Sequence, residues 1–327
     1  IWKYFSILII LFSTLSINVF SQQSDNLDNW LNTITTSVPF LIISPDAKSG
    51  GMGDVGVASS PDAMSMHWNP AKYAFIDSDI GFSVCYTPWL KSLVPDINLS
   101  YLSGYKRLDD NQAVGFSLRY FTLGEINFTD ANNNPLGSFS PNEFSLDGAY
   151  SLKLSPYFST GVSLRYVYSN LTGGQQVGTL ATKPANTVAG DISGYFIKEI
   201  RLASQQMNWA IGLNISNIGA KVSYTETIDK DFIPTNLRLG SSLSTEIDDY
   251  NSLAFEFNIN KLLVPTPPIY NDDGDIISCQ DPNVSVISGI FQSFSDAPFG
   301  DREIRELIYS TGLEYWYDQQ FAIRSGF

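Results

Sequence analysis

Residues 113–121 read Ala113-Val114-Gly115-Phe116-Ser117-Leu118-Arg119-Tyr120-Phe121. Val114, Phe116, Leu118 and Tyr120 share one parity; Ala113, Gly115, Ser117 and Arg119 share the other. Successive strand side chains point to opposite faces, so this stretch predicts a strand with one broad apolar face and one small, polar face. The same alternation recurs at 161–168, where Val162, Leu164, Tyr166 and Tyr168 oppose Gly161, Ser163 and Arg165. Comparable segments occupy 80–87, 97–105, 143–153, 187–197, 207–217, 234–245, 250–260, 307–317 and 320–327, about eleven strands in all.

The polar parity carries Arg119, Asp147, Arg165, Asp191, Arg238, Glu256, Glu314 and Arg324. A soluble barrel would turn these charges to water and bury the aromatic residues. An outer-membrane barrel would do the reverse, with aromatic residues toward lipid and charges toward the lumen. The connections separate the two. They run 88–96, 106–111, 122–142, 154–157, 169–186, 198–206, 218–233, 246–249, 261–306 and 318–319, and each odd link is longer than the even link after it. Long outer loops alternating with short periplasmic turns mark a membrane barrel, whose strands need ~9–11 residues to span. The reading is an all-β protein, a transmembrane antiparallel β-barrel set in outer-membrane lipid. Its eight lumen charges are expected to form a structural network, with no catalytic set among them.

Composition agrees. Of 327 residues only 16% are charged, against about 25% in ordinary soluble domains, and 33 acidic against 19 basic side chains give a formal charge of −14. That balance argues against nucleic acid as a partner, since its binders carry basic stripes. Cys85 and Cys279 stand alone, which supplies neither a disulfide framework nor a metal site. No cofactor is expected. Residues 1–21 have the layout of a secretory signal peptide, with Lys3 ahead of an apolar run and Ser21 before Gln22. The first residue is Ile, the strand count is odd and 321–327 stops in mid-pattern, so a barrel at 80–327 truncated at its carboxy end is expected.

Between the signal peptide and the first strand, residues 22–79 are too long for a spacer and are expected to plug the barrel. They contain Gly50-Gly51-Met52-Gly53-Asp54-Val55-Gly56 and then His67-Trp68-Asn69-Pro70-Ala71. The glycine spacing fits neither phosphate-binding fingerprint, so tight turns and close backbone approach are the expected uses of Gly50, Gly51, Gly53 and Gly56. His67 is the sole histidine and reads as a packed ring.

At these residues the chain resembles the PorV family of the type IX secretion system and, more broadly, the FadL-like barrels. The resemblance rests on residues 44–75, which include the Trp68-Asn69-Pro70-Ala71 motif. It continues through Tyr86-Thr87-Pro88-Trp89-Leu90, Ile215-Ser216-Asn217-Ile218-Gly219 and Phe232-Ile233-Pro234-Thr235-Asn236-Leu237-Arg238. The most distinctive block is Lys261-Leu262-Leu263-Val264-Pro265-Thr266-Pro267-Pro268, and Ser293-Phe294-Ser295-Asp296-Ala297-Pro298 follows it. The chain departs from the family at Phe299-Gly300-Asp301-Arg302, where paired glycines are usual. The resemblance implies about 14 strands in a complete barrel. It also implies a protein that is not an enzyme. Such a protein collects cargo through its carboxy-terminal signal domain at the translocon barrel and delivers it to a surface sortase. Water-facing loops would then carry the contacts: Trp89, Leu90, Leu93, Phe128, Phe139, Ile269 and Tyr270 are apolar there, and Pro265, Pro267 and Pro268 would stiffen a ledge. The acidic tip Asp272, Asp273 and Asp275 lacks a complete calcium spacing. The other reading is a FadL-like channel for hydrophobic small molecules.

Overall fold

The computed structural model describes residues 33–91, 96–129, 132, 135–174, 176–177, 180–202, 205–226, 230–271, 273, 275–297 and 303–327. The expected signal peptide, the start of the plug to residue 32, Leu93, Asp272 and residues 298–302 lie outside them. Residues Ile34–Phe327 form one compact unit.

Eleven strands make one antiparallel sheet in which neighbours in the chain are neighbours in space. They are β1 (Ile80–Pro88), β2 (Ile97–Arg107), β3 (Gln112–Leu123), β4 (Asn142–Ser155), β5 (Phe158–Asn170) and β6 (Ala185–Leu202). The order continues with β7 (Gln205–Gly219), β8 (Asn236–Glu246), β9 (Asn251–Leu262), β10 (Leu307–Tyr317) and β11 (Phe321–Gly326). Each strand expected from alternation is present, with shifted ends. β8 begins two residues late because Pro234 has no N–H to give to a ladder. The expected link 198–206 is mostly strand: Lys198 pairs with Trp209 and Leu202 with Gln205. Lys198, Glu199 and Arg201 had masked the alternation there, because a strand end beyond the apolar belt has no reason to keep it.

The long links carry structure of their own. Small hairpins pair Ile126–Thr129 with Pro135–Phe139, Gln176–Val177 with Leu180–Ala181, and Ile269–Tyr270 with Ile276–Ser278. A helix spans Val286–Gln292. Ahead of the sheet come α1 (Ala47–Gly50), α2 (Ser65–Trp68) and two 3-10 turns, Pro39–Ile42 and Pro70–Phe75; the helix at Val286–Gln292 is α3.

The faces of the sheet decide its surroundings. Leu164 is 65% exposed, whereas the adjacent Arg165 is 6% exposed. The same inversion runs along β1, whose Ile80, Phe82, Val84 and Tyr86 are all exposed. A soluble domain buries its large apolar residues and solvates its charges, so this sheet is built for lipid outside and a polar interior. Among the described residues no helix is long and apolar enough to cross a membrane. The strands do it instead.

Candidate functional site

The inner face of the sheet is occupied by residues 37–79. Near the long-link ends of the strands, Val38, Phe40 and Leu41 form an apolar cluster with Leu99 (β2), Phe121 (β3), Val167 (β5) and Ile233. Toward the short turns, Met66 and Tyr73 pack with Tyr105 and Ala113. Glycines on the wall make this contact possible. A Cβ on Gly212 would sit 2.0 Å from the Val57 carbonyl oxygen, and one on Gly326 would sit 2.0 Å from the Met52 carbonyl carbon. A Cβ on Gly161 would sit 2.7 Å from the Ala71 nitrogen.

The segment has little regular structure, so its backbone groups need side-chain partners. The Trp68-Asn69-Pro70-Ala71 motif supplies several. Trp68 Nε1 donates to the Asp46 carboxylate at 2.8 Å, and Asp46 also caps α1 by accepting from Ser49 N at 2.7 Å. Asn69 Nδ2 donates to the carbonyls of Val57 (2.9 Å) and Gly194 (3.0 Å), while its Oδ1 accepts from Ala71 N. Pro70 starts the 3-10 turn, and its carbonyl accepts from Ser151 Oγ at 2.6 Å. Gly53 has φ +72 and lies against the Phe327 backbone, and Gly56 lies under the Trp68 ring. Asp54 also sits in the left-handed region, φ 62, with its N–H on Ser49 O. Gly51 sits 3.2 Å, at the Cβ position, from a carbonyl of its own helix, but Gly50 has nothing within 4 Å. The expectation of close approach therefore fails at Gly50, an ordinary helical residue.

The eight lumen charges do line the inner wall, but they do not form one network. Arg165 bridges β4 to β6: it pairs with Asp147, with Asp191 at 3.1 Å, and hydrogen-bonds Asn217. Arg324 pairs with Glu314 at 2.6 Å. Among the described residues Arg119 pairs with no carboxylate. Its Nη1 donates to the carbonyls of Phe40 (2.7 Å), Leu41 (2.8 Å) and Ile43 (3.2 Å), and its Nη2 meets His67 Nδ1 at 2.7 Å. Arg238 donates to the His67 carbonyl and lies over the Trp68 ring. Glu256 Oε2 has no hydrogen-bond partner among the described residues. Half of the cations thus serve the inserted segment, because its free carbonyls compete with carboxylates for donors.

His67 is the packed ring the sequence suggests, set edge-on to Trp68. Burial and the neighbouring Arg119, Arg238 and Arg165 hold its pKa well below the usual histidine value, so Nδ1 accepts from Arg119 as a neutral imidazole. Lys72 was not anticipated. It is fully buried, donates to Gly56 O (2.9 Å) and Ser59 Oγ (2.8 Å), and burial lowers its pKa to about 8. A lysine two residues past Asn-Pro reads as a surface residue; only the fold encloses it.

The long-link side holds the expected partner-binding residues in mixed settings. Leu90 and Tyr270 are exposed, and Trp89 is 36% exposed. Phe128, Phe139, Pro267, Pro268 and Ile269 are half-buried, and the Phe139 ring packs on Gly173 of the next long link. Pro265 corrects the expectation of a free ledge: it is buried with Leu263, Val264 and Thr266, under Gly289 of α3. Asp273 and Asp275 are exposed, with their N–H groups on the Asn271 side chain. Neither cysteine is in a disulfide.

A different apolar surface emerges. Ile287 and Phe291 follow helical spacing on α3 and are 67% and 72% exposed, while Gly289 on the opposite side packs on Phe232; Phe294, in the turn after the helix, lies beside Leu237 and Leu239 of the sheet. Spacing alone could have shown this pair in Val-Ile-Ser-Gly-Ile-Phe-Gln. Below it, Asp296, Glu303 and Glu306 bring carboxylate oxygens within 4.8 Å of one another. Lys261 Nζ, at 3.1 Å from Glu303 and 2.6 Å from Glu306, supplies the positive charge they need.

The family model described as type IX secretion system protein PorV matches residues 24–269. No curated protein matches the chain. Among solved structures it is similar to the CymD monoaromatic hydrocarbon channel, with TM-score 0.40 and 15% identity over 85% of this chain and 81% of that one. It is similar also to the Ralstonia pickettii toluene transporter TbuX, with TM-score 0.41 and 10% identity over 87% and 85%. A Pseudomonas aeruginosa FadL homologue gives TM-score 0.38 and 11% identity over 87% and 79%. At such identities and scores the likeness is remote.

Proposed function

We propose that this chain, which belongs to the PorV family of the type IX secretion system, is a non-enzymatic multi-pass barrel of the outer membrane that receives exported cargo at the translocon. In this reading it binds the carboxy-terminal signal domain of the cargo and passes it to the surface sortase. The long links face outward, the short turns face the periplasm, and residues 22–79 act as the plug. The observation that carries the reading is the apolar pair Ile287 and Phe291 on α3, carried by a loop whose base is packed and ion-paired. A water-facing element that leaves such side chains uncovered is suited to a protein partner. A channel for hydrophobic molecules needs a greasy conduit, whereas the wall here is polar and in contact with the inserted segment.

The test is the double change Ile287→Ser and Phe291→Ser in cells. The barrel should assemble and keep its heat resistance on gels, while exported proteins accumulate with their signal domain uncleaved. Normal export with the altered pair would remove α3 from the reading. Normal export in a strain lacking the whole protein, with poor growth on an apolar nutrient, would decide for the channel.

A further inference from the structure

The lipid-facing wall is not uniform. At the short-turn ends of β1, β2 and β3 it is hollowed into a trough of about 410 Å3, walled by Ile80, Phe82, Leu102, Val114 and Phe116. A second recess, also about 410 Å3, adjoins the trough: the two share Ile80 and Lys106, and the second is walled by Asp79, Arg107 and Asp109. An apolar channel ending in paired charges has the partition of an amphiphile.

The charges are not equivalent. Arg107 is engaged on three sides, by Asp79 (3.6 Å), Asp110 (3.3 Å) and the Asp77 carbonyl (3.1 Å). Lys106 forms no ion pair among the described residues, although it is exposed and lines both hollows. The side chain of Asp79 is 86% exposed and holds Arg107 only at long range. A cation and a carboxylate side by side suit a zwitterion better than an anion. The trough is continuous with the exposed belt of Ile80, Phe82 and Val84, which already meets lipid.

We infer that this corner is a specific site for a zwitterionic glycerophospholipid of the phosphatidylethanolamine type. One acyl chain lies in the trough, the phosphate rests on Lys106, and the headgroup ammonium meets Asp79. The leaflet assigned to it, the periplasmic one, rests on the orientation given under the proposed function; the site itself does not.

Native mass spectrometry of the purified full chain, titrated with phosphatidylethanolamine or phosphatidylglycerol, tests the site. One phosphatidylethanolamine should be retained per chain, at least tenfold more tightly than phosphatidylglycerol. Lys106→Glu should lower retention at least tenfold, and Lys106→Arg should keep it. Val114→Trp, which fills the trough and leaves the charges alone, should lower it too; heat resistance on gels checks that each variant is folded. Equal retention by Lys106→Glu, or equal retention of the two lipids, would overturn the inference. Orientation is read separately from Asp109→Cys in a chain whose Cys85 and Cys279 are changed to Ser, where an impermeant reagent should reach the new thiol only in permeabilised cells. Labelling in intact cells would reverse the leaflet and the proposed topology while leaving the binding result to stand.

Discussion

The contact between the inserted segment and the wall, and the long loop at 263–306, solve opposite problems with similar residues. Inside, glycines let the Val57, Met52 and Ala71 backbones touch the strands, and Arg119 and Asn69 satisfy carbonyls that have no ladder. Large apolar groups such as Phe40, Met66 and Tyr73 are covered there, while His67 Nε2, Asn214 Oδ1 and Glu256 Oε2 are buried with no hydrogen-bond partner among the described residues. On the loop, the base is equally well satisfied: Thr266, Asp296, Glu306 and Lys261 interlock. Yet Ile287 and Phe291 are left in the open. Burial of charge goes with structural pairing in this protein, whereas uncovered apolar residues stand on a braced loop, the surface to which the proposed function assigns partner contact.

The strongest way to break this contrast is Arg165→Leu. It would strand Asp147 and Asp191, which are 4% and 2% exposed, at a cost of about 3–5 kcal/mol. Thermal unfolding and heat-modified gel mobility should both report the loss. A barrel of unchanged stability would show that water reaches these carboxylates and that the interior is not dry.

Next in size is Gly212→Val, which drives a side chain into the Val57 carbonyl and should cost about 1–3 kcal/mol through overpacking. Gly148→Ala is the control, with nothing within 4 Å of its Cβ position, and should change little. If both variants melt together with the unaltered protein, the segment is more loosely held than its contacts imply.

A pH effect of similar scale comes from His67. Its pKa is lowered in the folded chain by burial and three arginines, so below the ordinary histidine value of about 6.5 the unfolded chain binds the extra proton. Stability is therefore fully present above about pH 6.5 and falls by up to about 1.4 kcal/mol per pH unit as acid is added. Melting curves from pH 7 to pH 5 should show the slope, and His67→Gln should flatten that part of it. An equal slope in the variant would assign the acid sensitivity to other groups.

The smallest expected stability change belongs to Phe291→Ser, within about 0.5 kcal/mol because the ring is 72% exposed. Its effect should fall on export instead. A large drop in melting temperature would mean that the ring is packed after all, and the contrast between the two regions would lose its sharpest example.

Much of the fold is legible in the chain itself because strand alternation is a local property. Val162 to Tyr168 announces an apolar face without reference to any other strand, and most link lengths follow from it, the link expected at 198–206 being the exception. The sign of the faces is not local: a soluble barrel would alternate in the same way, and it is the long and short links taken together that turn Arg119 and Arg165 inward. The family motif around Trp68 to Ala71 is equally visible, and the family model matches across it.

What the sequence by itself determined is thus the number and central residues of the eleven strands, which parity faces lipid, and which segment precedes the sheet. Only the tertiary structure decided which groups meet. Arg119 and Arg238 turn to backbone carbonyls of the inserted segment, Lys72 is enclosed, Pro265 is buried, and Ile287 and Phe291 are left uncovered. The physical reason is range. Alternation is written in residues two apart, whereas Arg119 finds Phe40 across 79 positions of chain, and a donor's choice between a carboxylate and a carbonyl depends on which of them the fold brings within 3 Å.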